Sequence, residues 1–208
     1  MARREYENKG GGLPEGCVLW LPFTSATDLK DRVTGNDVVI DRPEFMYWDD
    51  TQQAFAILKG MSTSYGYAAH LSYPDFRNQF SDDNYSVIVD VARGSGLTGI
   101  NYLISPGGSY SDFIRRIWSM QRSYLPSLNT KCRVCFLCDA TYKTVYYDAV
   151  QKEQVTADTR RNIFPPSKWP ALASPEIMLG HPQLYIDFYI YNLMIFNRKL
   201  TIEEAMSL

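Results

Sequence analysis

Three cysteines at three-residue spacing, Cys132, Cys135 and Cys138, are the first residues of this 208-residue chain whose types and positions suggest chemistry. A C-x-x-C-x-x-C array invites a metal–thiolate reading. Its neighbours Val134, Phe136 and Leu137 favour a strand instead. At roughly 3.3 Å of rise per residue, a strand sets Cys132 and Cys138 about 20 Å apart, whereas a zinc–sulfur bond is only about 2.3 Å long. Strand side chains alternate, so Cys135 faces away from the other two. The expectation is inert core thiols.

Hydrolysis of a glycosidic bond needs two carboxyl groups, one to protonate the leaving oxygen and one to attack or to activate water. The acidic pairs here are adjacent in sequence. Asp49-Asp50 and Asp82-Asp83 sit beside turn residues, and Glu203-Glu204 opens a helix, where carboxylates counter the dipole. All read as solvated charges. Asp187 differs because it stands among apolar neighbours. Two readings stay open for it: a hydrogen-bonded sheet residue, or a ligand-binding or calcium-binding group. The two histidines, His70 and His181, have no G-x-S-x-G partner motif. Gly94-Ser95-Gly96 lacks the strand-to-helix context of a nucleophile elbow, Gly107-Gly108 reads as a turn, and no phosphate-cradling G-x-x-x-x-G-K-[ST] occurs. The expectation is a protein that is not an enzyme.

Aromatic residues reach 14% of the chain, 15 of them tyrosine. Tyr47, Trp48, Tyr65, Tyr67, Tyr73, Tyr110, Trp118, Tyr124 and Trp169 lie around turns. Each is a candidate for stacking on a sugar, with core packing as the alternative. The formal charge is −2, with no basic block beyond Arg3-Arg4 and Arg160-Arg161, which argues against a nucleic-acid partner held by phosphate neutralisation. No run approaches 18 apolar residues, so no membrane partner is expected. The opening MARREYENKGGG lacks the apolar stretch of a secretory signal. The expected setting for synthesis is the reducing cytoplasm, with the cysteines as thiols.

These side chains have to be positioned by strands. Cys17–Phe23, Ala54–Gly60, Ser86–Ala92, Asn101–Ser105, Arg133–Ala140, Val145–Ala149, Ile177–Gly180 and the long run from Tyr185 all carry strand-forming residues, divided by Gly, Pro, Asn and Asp. Val155–Pro175, with Pro165-Pro166, Pro170 and Pro175, reads as a loop. Asn197-Arg198-Lys199 breaks the last strand, and Thr201 stands three residues before Glu204, the spacing of a capping box. Residues 1–12 end in three glycines and read as a flexible polar arm, leaving 13–208 as one domain. The pattern predicts an all-β sandwich with a short C-terminal helical turn.

The closing stretch Asn192–Glu204 (NLMIFNRKLTIEE) resembles the ending of concanavalin A-like lectin/glucanase domains of the laminin-G-like kind. LWLPF at 19–23, the turn Asp28–Asp37, AFAILKG at 54–60, the pair RVCFLCDA and VYYDA, and IMLG at 177–180 resemble further motifs of that family in the same order. The family's hairpin glycines are replaced by Ala140 and Ala149, so altered turns are expected. The resemblance implies a two-sheet antiparallel jelly roll with recognition at its rim loops. Glycosidases of this fold carry an E-x-D-x-x-E strand, which is missing here. Some members bind calcium through loop acids, for which Asp28, Asp31 and Asp37, with Asn36 between them, are the counterparts. Otherwise no cofactor is implied. The expected function is adhesion or recognition, with a glycan or cell-surface polysaccharide as partner. Tyr47, Trp48, Tyr65, Tyr67, Tyr110, Trp118, Trp169 and Asp187 are the expected contacts. The alternative is a purely structural subunit that self-associates or docks on other structural proteins, as in a bacteriophage virion. A divergent polysaccharide-degrading enzyme is the third reading.

Overall fold

The computed structural model describes residues 12–61, 67–96, 101–106, 118–120, 128–156, 176–180 and 186–208. They form β1 (Cys17–Leu21), β2 (Val38–Ile40), β3 (Met46–Asp49), β4 (Ala54–Ile57), β5 (Ala69–Ser72), β6 (Tyr85–Gly96), β7 (Asn101–Pro106), β8 (Trp118–Met120), β9 (Cys132–Cys138), β10 (Tyr142–Tyr147), β11 (Val150–Thr156), β12 (Glu176–Leu179), β13 (Ile186–Phe196) and α1 (Ile202–Ser207). The larger sheet runs β11-β10-β9-β6-β13-β4-β3, with β1 also on β13, and the smaller runs β2-β5-β12-β7-β8. The strand pairings are antiparallel. This is the expected two-sheet β-sandwich of jelly-roll type with a short C-terminal helix.

Alternation explains the layering. Val87, Val89 and Val91 of β6, Val134 and Phe136 of β9, and Phe55 and Ile57 of β4 face inward. There they join Leu71 of β5 and Ile177 and Leu179 of β12 in one core. Burying each such side chain contributes about 1.5–3 kcal/mol. Cys132 and Cys138 point into this core, while Cys135 points the other way, into a second cluster under α1. The free thiols therefore divide between two faces, as strand geometry requires. Gly180 ends β12 at φ +70°, and a Cβ there would meet Ala68 and Ile57 at 2.9 Å. Only glycine fits that turn and that approach.

β13 carries a bulge at Tyr191 that sets which of its side chains face outward. Ile190 pairs with Val91 and Asn192 with Asp90, leaving Tyr191 without a partner of its own. Before it, Ile186, Phe188 and Ile190 face the core; after it, Leu193 and Ile195 do. One extra residue inverts the alternation. Asp187 and Tyr189 are outward before the bulge, and Asn192, Met194 and Phe196 after it.

Several sequence expectations are corrected. Val155 and Thr156 belong to β11, and 157–175 lie outside the described residues. The strand ending at Ala149 instead ends at Tyr147. Asp148 and Ala149 form a two-residue turn with φ of 46° and 67°. Positive φ at both central residues is the type I′ geometry that fits hairpin twist. Alanine thus adopts the conformation usually left to glycine, at a cost of about 1–2 kcal/mol. Asp148 helps hold it there, its carboxylate accepting from the backbone N–H of Arg133 at 2.8 Å.

Candidate functional site

The outward side of the larger sheet has two halves. One is sealed. α1 lies over Ile88, Cys135, Leu137, Met194 and Phe196, with Leu200 and Ala205 completing the cluster and Trp20 against its side. The capping box expected from sequence starts this helix: Glu204 N–H donates to Thr201 Oγ1 at 3.1 Å, and Thr201 N–H to Glu204 Oε2 at 2.7 Å. Arg133 holds its other end, donating from Nη1 to the carbonyl oxygens of Ala205 (3.1 Å) and Leu208 (2.7 Å). The same guanidinium grips Asp90 in a two-pronged pair at 2.7 and 2.8 Å. Trp20 Nε1 donates to Asn192 Oδ1 at 3.0 Å beside them.

The other half presents aromatic rings. The register places Tyr47 beside Ala56, Ala56 beside Tyr189, and Tyr189 beside Ala92. Methyl groups therefore flank the Tyr189 ring on both sides. Tyr47 is 42% exposed, and Tyr189 and Tyr191 are half-buried. Tyr191 donates from its hydroxyl to Gln52 Oε1 at 3.3 Å, and Lys131 Nζ sits 4.6 Å from the centre of its ring. Burial raises the hydroxyl pKa of both tyrosines, helped at Tyr189 by Asp49, Tyr47 and Asp187 and at Tyr191 by Tyr189 and Asp49. These phenols stay protonated at neutral pH, so they can donate as well as accept hydrogen bonds.

At the start of β13 stands Asp187, its side chain 15% exposed. Its Oδ1 accepts from Lys59 N–H at 2.9 Å, and its Oδ2 accepts from Ser95 Oγ at 2.6 Å and Lys59 Nζ at 3.2 Å. Lys59 Nζ also donates to Ser95 Oγ at 2.8 Å. The carboxylate thus ties the ends of β4 and β6 to β13. Gly94 makes room, since a Cβ there would meet Asp187 Cβ at 2.9 Å. Asp49 is similarly engaged, its Oδ1 accepting from the backbone N–H groups of Thr51 and Gln52.

Of the contacts expected from sequence, this face gathers Tyr47 and Asp187. Trp48 points inward and packs edge-on against Phe55 at 5.4 Å. Tyr67 and Tyr73 are buried, Tyr73 donating to the Val18 carbonyl at 2.8 Å. Tyr67 and Tyr73 are too buried to stack on an outside ligand, whereas Trp48 is half-buried and donates from Nε1 to Asp50 Oδ1 at 3.1 Å. Trp118 lies on β8 of the smaller sheet. Tyr65, Tyr110, Tyr124, Trp169 and His181 lie outside the described residues. His70 Nδ1 is 2.7 Å from Asp41 Oδ2.

The three loop aspartates separate by task. Asp31 is fully buried and accepts from Trp20 N–H, Val33 N–H, Thr34 N–H and Thr34 Oγ1. Asp28 binds Thr24 and Arg32, and Asp37 pairs with Lys30 at 3.1 Å. Among the described residues no three His, Cys, Asp or Glu side chains group as metal ligands. Tyr189 and Tyr191 were not singled out from sequence. Their signal was the D-F-Y-I-Y alternation of 187–191, which places two tyrosines and an acid opposite Phe188 and Ile190.

No protein-family model matches the chain, and no curated protein matches it. Solved structures do. The binding domain of botulinum neurotoxin serotype D/C is similar with a TM-score of 0.62 at 11% identity, covering 92% of this chain and 51% of that one. The ligand-binding domain of serotype D, in complex with N-acetylneuraminic acid, gives 0.60 at 11%, covering 92% and 50%. Domain 4 of AbnA, a GH43 extracellular arabinanase from Geobacillus stearothermophilus, in complex with arabinotriose, gives 0.57 at 16%, covering 92% and 97%. The chain spans about half the length of the neurotoxin domains and nearly all of the arabinanase domain. At these identities the likeness shows the fold.

Proposed function

We propose that this chain is a non-catalytic glycan-recognition module whose contact surface is the ring-bearing half of the larger sheet. The carrying observation is the row Tyr47–Ala56–Tyr189–Ala92, with Tyr191, Gln52, Lys59 and Ser95 around it. A tyrosine ring offers an apolar face to sugar C–H groups and a hydroxyl that hydrogen-bonds. A few convergent polar groups then fix orientation. Asp187 and Asp49 are taken up by protein donors, which favours binding without bond cleavage. The sugars in the arabinanase-domain and serotype D structures are in keeping with this reading.

A glycan array followed by calorimetry tests it. Tyr189→Ala lowers the affinity for the best glycan about ten-fold or more, and binding persists in a calcium chelator because Asp28, Asp31 and Asp37 already have protein partners. No binding by any glycan, with and without calcium, overturns the reading. Laminin-G-like membership rests on the order of the sequence motifs, and a place in a virion rests on the polar arm at residues 1–12 and the tyrosine content. Sedimentation of the chain with and without residues 1–12 tests the assembly role, which a strict monomer in both would count against.

A further inference from the structure

We infer that the strip takes a short, uncharged, linear oligosaccharide laid lengthwise along β13, with Lys59 Nζ reading a hydroxyl at one end. This rests on the glycan-binding reading and narrows it. Asp187, Tyr189 and Tyr191 follow one another at two-residue steps on the outward side. Each step along a strand advances about 7 Å, giving a strip roughly 14 Å long. That length suits a few sugar rings in line rather than one. Across the strands the strip is bounded, by Tyr47 two strands away on one side and by Lys131 over Tyr191 on the other. A branched or transverse ligand meets both.

The charges favour a neutral ligand. The Lys59 ammonium is matched by Asp187 at 3.2 Å, and Lys131 lies against the face of Tyr191. Asp49 follows Tyr47 by two residues on the same side of β3, with its Oδ1 held by the Thr51 and Gln52 N–H groups, and its charge helps raise the pKa of Tyr189 and Tyr191. An acidic sugar over Tyr189 therefore faces a fixed carboxylate, while among the described residues the cations beside the strip, Lys59 and Lys131, are already engaged. An ammonium carries three donors. Among the described residues Ser95 and Asp187 orient this one, leaving the third N–H for a sugar hydroxyl, while Asp187 prevents its charge from selecting anions.

Calorimetry at low salt with arabinose, arabinotriose, cellotriose and trigalacturonate tests the inference. A neutral trisaccharide is expected to bind about ten-fold or more tighter than the monosaccharide and the trigalacturonate, and Lys59→Met to weaken it about ten-fold, one lost hydrogen bond to a charged donor. Lys59→Arg keeps donors at this place and restores binding, and melting temperatures confirm that each variant is folded. Equal or tighter binding of trigalacturonate, or no effect of Lys59→Met, overturns the inference while Tyr189→Ala still weakens binding and glycan recognition stands. Failure of all four sugars overturns the inference; silence across the full glycan array sinks glycan recognition as well.

Discussion

Downstream of Tyr191, the outward side chains of β13 lie under α1 and Trp20, in a cluster with Ile88, Cys135 and Leu137. Upstream, Asp187 and Tyr189 share the same sheet surface and keep part of it open to solvent. Both halves are built from aromatic and polar residues on one strand. They differ in how polarity is used. In the sealed half Asp90 and Arg133 are almost wholly buried and satisfy each other, with Arg133 also holding the helix end. In the open half the polar groups stand around rings that keep solvent-facing area. Polar groups in the first half fix a fold; in the second, under the proposed function, they would meet a ligand.

The most severe way to break this comparison is to remove one member of the buried pair. Arg133→Met leaves Asp90 buried without its partner and is expected to cost about 3–5 kcal/mol in urea unfolding. The double variant Asp90→Leu/Arg133→Met should recover a large part of that. A single-variant loss below about 1 kcal/mol, the range of exposed pairs, would show that the sealing does not depend on the pair.

Ring removal sharpens the contrast between halves. Phe196→Ala, in the sealed half, should cost about 3–5 kcal/mol of stability. Tyr189→Ala should cost under about 1 kcal/mol and act on ligand affinity instead. Equal stability losses would make the open half part of the core and dissolve the distinction.

Alkaline titration reaches the sealed half through Cys135, and Cys135→Ala separates its share from those of Cys132 and Cys138, whose thiols burial raises as well. Burial pushes the Cys135 thiol up from 9.0 to about 12, with Arg133 pulling it down and Asp90 and Asp148 pushing it up. A pKa raised in the folded state means that the unfolded chain loses its proton first. Stability is then intact below pH 9 and declines as pH rises towards 12. Near pH 10.5 this one thiol should account for a loss of about 2 kcal/mol. The urea midpoint followed from pH 8 to 10.5 should fall less steeply in Cys135→Ala than in the parent. Identical slopes would place the thiol in contact with water. The smallest effect belongs to the helix start, where Thr201→Ala should cost about 1 kcal/mol.

The sealed half was largely legible in the sequence and the open half was not. Thr201 and Glu204 announced α1 because a capping box is local, needing only residues three apart. The cysteines announced β9 for the same reason, through alternation within seven residues. What the open half needs is register between distant strands: Tyr47 reaches Tyr189 only through Ala56. Turn-adjacent aromatics therefore looked alike, although Trp48 packs inward and its neighbour Tyr47 outward. The β11 strand went unread because its outer residues Gln151, Lys152, Glu153 and Gln154 carry the polarity of a sheet edge. The Asp90–Arg133 pair had a signal, isolated charges within apolar strands, but nothing local says that the two face each other across 43 residues.

The unmatched residue at position 191 acts as a frameshift in the pleat. Pairing Tyr191 regularly, with no residue removed, would put the two stretches of β13 in a single alternation. Keeping Leu193 and Ile195 inside would then drive Asp187 and Tyr189 into the hydrocarbon interior; keeping Phe188 and Ile190 inside would turn Met194 and Phe196 into it and strip α1 of its footing. The open and sealed halves of one sheet surface therefore depend on a bulge that absorbs a single supernumerary amino acid.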